Sequence, residues 1–286
     1  MNPMNKKDVQ LVLNRLDVRP KKNWGQNFLI DHNIGSKIIS ESEITSQDTI
    51  LEIGPGLGAL TEDLIKSAKK VYLIEKESKF CSYLSEKFST RDNVEIINGD
   101  ILKVDIPHHD KVVSNIPYTI TGPILEKVFY RRNPPIGIIS VEKNIAERIV
   151  LSNNYKNFSR ISVALNSFMI PVRKFDIPKN CFYPAPKIDI TVIKITPREN
   201  LDPYLEDKDS RNIFLQMIAG IMPYKNKDVV NALFLFFKSN NRTSLSKDQV
   251  LKILRESDFK NKKLFSLKIE EFLELCKLFY PYNEIK

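Results

Sequence analysis

The stretch "TILEIGPGLGALTEDLIKSA" (49–68) constrains this chain more than any other. A short apolar run ends at Gly54, Gly56 and Gly58, and a segment with Leu60, Leu64 and Ile65 on one helical face follows at once. Glycines at this point let the backbone turn tightly from a strand into a helix and let a ligand approach the main chain. The pattern is G-x-G-x-G; Ala59 stands where the G-x-G-x-x-G dinucleotide pattern needs its last glycine. Taken alone, such a loop is as readily a plain strand–helix turn. It belongs, however, to sheets in which strands and helices alternate.

That alternation continues. "KVYLIE" (70–75), "NVEIINGD" (93–100), "KVVSN" (111–115) and "IGIISVE" (136–142) read as strands. "HNIGSKIISESEI" (32–44), "KFCSYLSEKF" (79–88), "PILEKVFY" (123–130) and "KNIAERIV" (143–150) read as helices. "SRISVALNSFM" (159–169) and "IDITVIKI" (188–195) read as two further strands joined by a Pro-rich loop, an antiparallel edge. The pattern predicts an α/β fold with a doubly wound, Rossmann-like sheet. Past Pro197 the period is helical throughout, and "TPRENLDPYLEDKDS" (196–210) is polar and Pro-containing like a linker. Three parts are therefore expected: a basic N-terminal arm (1–30), a ligand-binding α/β domain (31–197) and a small helical domain (198–286).

Charge narrows the partners. The 286 residues carry a net charge of +9, and residues 1–30 hold six Lys/Arg against two Asp/Glu. A basic arm suits a polyanion, because phosphate contacts release counterions, although a solvated tail would look the same. No apolar run is long enough for a membrane span. Cys81, Cys181 and Cys276 lie far apart with neither metal nor disulfide spacing, so no metal is expected and a reducing cytoplasm is.

The strand ends carry the candidate chemistry. Glu75 closes the strand after the glycine loop, where a carboxylate can accept both hydroxyls of a ribose. Asp100 closes the next; it could accept from an exocyclic adenine amine while Ile101 packs on the ring, or it could simply make an Asx turn. All these ends face the sheet edge where ligands bind in this architecture. Together they describe an adenosine-containing cofactor.

The fourth strand ends in Asn115-Ile116-Pro117-Tyr118. An exocyclic amine on a base is a poor nucleophile because its lone pair is delocalised into the ring. A site that accepts both its N–H groups draws the nitrogen toward a tetrahedral shape. The Asn115 amide oxygen is one such acceptor, and the Pro117 carbonyl, behind a ring-locked φ, is a second. Tyr118 can stack on the base, worth ~1–3 kcal/mol. The plainer reading is a strand stop with the tyrosine in the core.

Four motifs in order then carry a resemblance. "KKNWGQNFLID" (21–31), "EIGPGLGALT" (52–61), "SNIPYTITGP" (114–123) and "FYPAPKID" (182–189) resemble the signatures of the ribosomal RNA adenine dimethyltransferases. The resemblance implies a class I methyltransferase fold that uses S-adenosylmethionine. It implies N6-dimethylation of two adjacent adenosines near the 3′ end of small-subunit rRNA. The implied partner is the rRNA or the pre-ribosomal small subunit, met by a monomeric cytoplasmic enzyme. It assigns Asn27, Leu29, Gly54, Gly56, Glu75, Asp100, Ile101 and Asn115 to the cofactor. Asn115, Pro117 and Tyr118 would present the target amine, and Phe182 would sandwich the base. An aromatic before prolines is otherwise usually core or turn. Thr119 departs from the family, which often has Asn there, as do Phe158–Val163 and Glu142–Asn144. The alternatives are a large-subunit rRNA methyltransferase of the macrolide-resistance type and a non-catalytic RNA-binding factor on the same fold. A nicotinamide dehydrogenase shares Gly54 and Glu75 but needs a glycine at 59.

Overall fold

The computed structural model describes residues 5–20, 26–150, 158–239, 245–259 and 261–282. Nine strands occur among them: β1 (Phe28–Leu29), β2 (Thr49–Ile53), β3 (Lys70–Glu75), β4 (Val94–Asn98), β5 (Lys111–Asn115), β6 (Ile136–Glu142), β7 (Met169–Ile177), β8 (Phe182–Tyr183) and β9 (Ile190–Pro197). Seven form one sheet in the order β4-β3-β2-β5-β6-β9-β7. The pairs from β4 to β6 are parallel, and β9 runs antiparallel to β6. β1 and β8 form a separate antiparallel pair, Leu29 opposite Phe182.

The parallel strands read as unbroken apolar runs because both faces are covered. Ile50, Leu51, Val71, Leu73, Val112, Val113, Ile138 and Ile139 are all buried. β2 lies at the reversal of strand order, with β3 and β4 on one side and β5 and β6 on the other, so its glycine-rich end opens on the crevice where such sheets bind ligands. The helix that leads into β2 is braced by a buried cation. Lys111 Nζ donates to the carbonyl oxygens of Ser42 (3.3 Å) and Glu43 (2.6 Å), at the C-terminus of the helix His32–Ser42, and pairs with Asp48 at 3.0 Å. The other end of that helix is capped by Asp31, whose Oδ1 accepts from the Ile34 N–H at 3.1 Å.

Two expectations change. The stretch 159–169 is not a strand: Arg160–Phe168 is a helix, and the strand begins at Met169. Ser159 and Ser162 form a capping box that starts the helix. Ser162 through Phe168 are all buried, so no polar stripe marks the helical period, and the short Ile-Ser-Val alternation imitates a strand. The N-terminal stretch is also more than an arm. Lys6–Arg15 is a helix capped by Asn5, with Val9 and Leu13 buried against Phe28, Leu57 and Phe80. Lys21 and Lys22 lie outside the described residues.

Contacts divide the chain into two compact units. The first comprises 1–129, 135–146 and 171–197; the second comprises 130–134, 147–170 and 198–286. Residues 147–170, expected with the α/β domain, thus group with the C-terminal helices. Within the second unit the helices Lys208–Ile221, Val229–Ser239 and Ile269–Phe279 bury Phe214, Phe237, Phe272 and Phe279. Phe158 stacks on Phe272 with ring centroids 5.6 Å apart. No helix among the described residues is long and apolar enough to cross a membrane.

Candidate active site

A cavity of about 210 Å³ opens at the carboxyl ends of β2, β3 and β5. Asn27, Leu29, Gly54, Gly56, Glu75, Asp100, Ile101, Asn115 and Pro117 all line it, so most of the residues singled out from sequence converge there. Tyr118 and Phe182 do not border it. Both are buried in the main apolar cluster, at 6% and 3% exposure.

The glycine loop is built by backbone conformations that other residues adopt at a cost. Gly54 has φ +68° and Gly56 φ +59°. A Cβ on Gly56 would meet the Phe28 ring at 3.2 Å, and one on Gly54 would meet the Pro117 ring at 3.4 Å. The loop is therefore pressed against both the N-terminal motif and the end of β5.

Glu75 ties the loop to the next strand. Its Oε2 accepts from the Gly56 N–H at 3.1 Å, and its Oε1 accepts from the Glu77 N–H at 2.8 Å. Burial raises its pKa, and these N–H groups act against the rise. The Lys76 N–H also bonds the carboxylate, so three backbone donors face its four lone pairs and one acceptor position stays open. Asp100 makes the Asx turn, Oδ1 accepting from the Leu102 N–H at 3.0 Å, and still lines the cavity. Its Oδ2 accepts from Lys76 Nζ at 2.9 Å, and that bond holds its pKa below the ordinary value.

At the end of β5 the polar groups satisfy one another. Asn115 Nδ2 donates to the Asn27 carbonyl at 3.3 Å, joining the two motifs. Asn115 Oδ1 accepts from the Tyr118 hydroxyl at 2.6 Å and from the Ser140 hydroxyl. The Pro117 carbonyl accepts from the Ile120 N–H at 3.2 Å and keeps one lone pair. Burial pushes the Tyr118 pKa well up, so its hydroxyl stays protonated and donates.

Two residues escaped the reading of the sequence. Glu52, 3% exposed, lines the cavity floor, and its Oε2 accepts from Thr61 Oγ1 at 2.6 Å. Burial pushes its pKa up to about 8, against the Thr61 bond and helped by nearby Glu75. Its signal was present: a charged residue inside an otherwise apolar, buried strand is an anomaly. Ser140 lies on β6 in register with Asn115. Nothing in its local sequence marks it. Among the described residues no cluster of His, Cys, Asp or Glu could hold a metal ion.

Comparison with known proteins places the chain. The family model "Ribosomal RNA adenine dimethylase" matches residues 18–275. A "Ribosomal RNA small subunit methyltransferase A" from Natranaerobius thermophilus is 32% identical, over 100% of this chain and 99% of its own. The crystal structure of a dimethyladenosine transferase from Plasmodium falciparum shares the fold, with TM-score 0.74 and 24% identity over 88% of this chain and 97% of that one. That of the 23S rRNA methyltransferase ErmE does so with TM-score 0.63 and 21% identity, over 88% and 98%. With three of its four motifs on one cavity and its length matched almost end to end, the chain belongs to the ribosomal RNA adenine dimethylase family.

Proposed function

We propose that this protein dimethylates N6 of two adjacent adenosines near the 3′ end of small-subunit rRNA during ribosome assembly, with S-adenosylmethionine as methyl donor. The observation that carries the reading is the convergence on one cavity of a glycine cradle, a carboxylate with spare acceptor capacity and the Asn115–Pro117 acceptors. Family membership and the small-subunit name of a relative matched along its whole length support the substrate.

The residues present fit S-adenosylmethionine. Side chains at Gly54 and Gly56 would crowd the loop, so the main chain there stays open to the cofactor's methionine part. Glu75 keeps acceptor capacity for a ribose hydroxyl, and Asp100 with Ile101 offers a carboxylate beside an apolar surface for adenine. Asn27 and Leu29 line the cavity from the N-terminal motif. Bound there, the cofactor supplies an electrophilic methyl on a sulfonium, so no strong base is needed. Asn115 Oδ1 and the Pro117 carbonyl accept the two N–H groups of the target amine and localise its lone pair, which makes positioning the main catalytic contribution. In this reading Tyr118 and Phe182 leave the core to flank the base, an arrangement suited to an extruded nucleotide. The reading takes the enzyme as a monomer acting in the cytoplasm on the pre-ribosomal particle.

The decisive experiment is methylation of small subunits that lack the modification, with product nucleotides mapped. Adjacent dimethyladenosines near the 3′ end of the small-subunit rRNA are expected. Modification confined to the large subunit would show a resistance-type enzyme. Absence of S-adenosylmethionine binding by calorimetry would leave an RNA-binding factor.

A further inference from the structure

Hydrogen-bond capacity at Asn115 does not suffice for a bound adenine. An amide oxygen has two lone pairs. One receives the Tyr118 hydroxyl at 2.6 Å, and the other receives the Ser140 hydroxyl. The amine of the target base would be a third donor to a full acceptor. Of the two resident donors, Ser140 is the fixed one: it is 1% exposed and sits on a central strand in register with Asn115. Tyr118 begins a single 3-10 turn, Tyr118–Ile120, just past the strand.

We propose that the Tyr118 hydroxyl is a built-in competitor of the substrate: it holds the Asn115 oxygen while no base is bound, the target N–H displaces it, and Ser140 keeps the amide in place throughout. This rests on the adenine-N6 reading above. Burial keeps the Tyr118 hydroxyl protonated, so donation is its standing role at this oxygen. The exchange also gives the site a direction. An unmodified amine carries two N–H groups and a monomethylated amine carries one, so either can take the place of Tyr118. A dimethylated amine carries none. Once the second methyl is on, only the tyrosine can refill the acceptor, and its return favours departure of the finished base. Retention of the monomethylated intermediate and release of the product then follow from one count of donors.

The test compares wild type with Tyr118→Phe, Ser140→Ala and the double variant. Their affinities for unmodified small subunits are measured with S-adenosylhomocysteine present. Tyr118→Phe keeps the ring and removes the competitor, so binding should tighten about fivefold, the size of one net hydrogen bond. Ser140→Ala frees a lone pair, so Tyr118 and the base can be accommodated together, and binding should tighten similarly. The double variant should gain nothing over either single one, because competition needs both hydroxyls. Fully dimethylated subunits should bind Tyr118→Phe more tightly than wild type and leave it more slowly. Unchanged or weaker binding in a variant whose melting temperature shows it folded overturns the proposal. So do additive gains in the double variant. If Tyr118→Phe does not fold, Ser140→Ala alone decides by the same sign. A wild type that methylates no adenine would sink the parent reading instead, and the mapped products tell the two failures apart.

Discussion

The ends of β2 to β4 and the end of β5 face one cavity but are finished in opposite ways. At Glu75, the backbone N–H groups of Gly56, Lys76 and Glu77 hold the carboxylate and leave it acceptor capacity. At Asn115, neighbouring side chains fill the amide oxygen completely. The first arrangement is rigid and waiting, as suits a cofactor bound the same way at every cycle. The second is closed on itself, as suits a substrate that must arrive, react twice and leave. Preorganisation in one molecule can thus mean keeping an acceptor open in one place and keeping another occupied elsewhere on the same cavity.

Substitutions should separate the two ends. The largest effect is expected at Asn115→Ala: methyl transfer in a single turnover should fall about 100-fold or more, as when one preorganised polar contact to a reacting group is removed. Affinity for small subunits should stay within about threefold, since phosphate contacts dominate RNA binding. If RNA affinity collapsed together with turnover, the division between the ends would be lost. Next comes Glu75→Gln, which removes the charge that the backbone N–H groups support. Calorimetry should show S-adenosylmethionine affinity falling by about 10- to 100-fold, the range for hydrogen bonds to a charged group, with RNA affinity unchanged. An equal loss of RNA affinity would mean that Glu75 serves both ends.

The smallest effect sharpens a distinction inside the first region. Glu52 and Glu75 lie one strand apart, yet Glu52 is spent on Thr61 inside the structure. Its proton is held to about pH 8 in the folded protein, against an ordinary value of 4.5 when unfolded. The stabilisation is therefore complete below about pH 4.5 and is lost as pH rises toward 8. Relative to wild type, Glu52→Gln should gain about 1–2 kcal/mol of stability between pH 5 and pH 6.5, read from denaturant titrations. A flat difference across that range would show that Glu52 is ionised throughout.

What could be read from the sequence was whatever sits at a strand end in a recognisable order. Gly54, Glu75, Asp100 and Asn115 are spaced by the βα repeat itself, so knowing the repeat locates them on one edge. The interior was harder. The helix Arg160–Phe168 has no exposed face, so its period carried no polarity signal and two β-branched residues decided the reading. Both readings of Tyr118 stay open in the sequence, core ring or stacking ring, because an N-x-P-Y turn does not specify which way the ring falls; in this structure it lies in the core. Ser140 was invisible for a different reason. Its role exists only across a strand pairing, 25 residues from Asn115, and a lone serine in an apolar strand announces nothing. Glu52 alone was legible and overlooked.

The small β1–β8 clasp carries a consequence for how this protein is made. Asn27 and Leu29 line the cavity, but Leu29 is held opposite Phe182, and Gln10 Nε2 donates to the Tyr183 hydroxyl across 173 residues of chain. During synthesis the N-terminal segment emerges first; Leu57, Phe80 and Asn115 follow soon enough to engage it, but Phe182 and Tyr183 do not until β8 leaves the exit tunnel. The glycine loop and the parallel strands β2 to β6 all precede β8; the clasp that fixes the wall over them is completed only with it. A translation product interrupted before β8 thus carries the cradle without the clasp that fixes its wall.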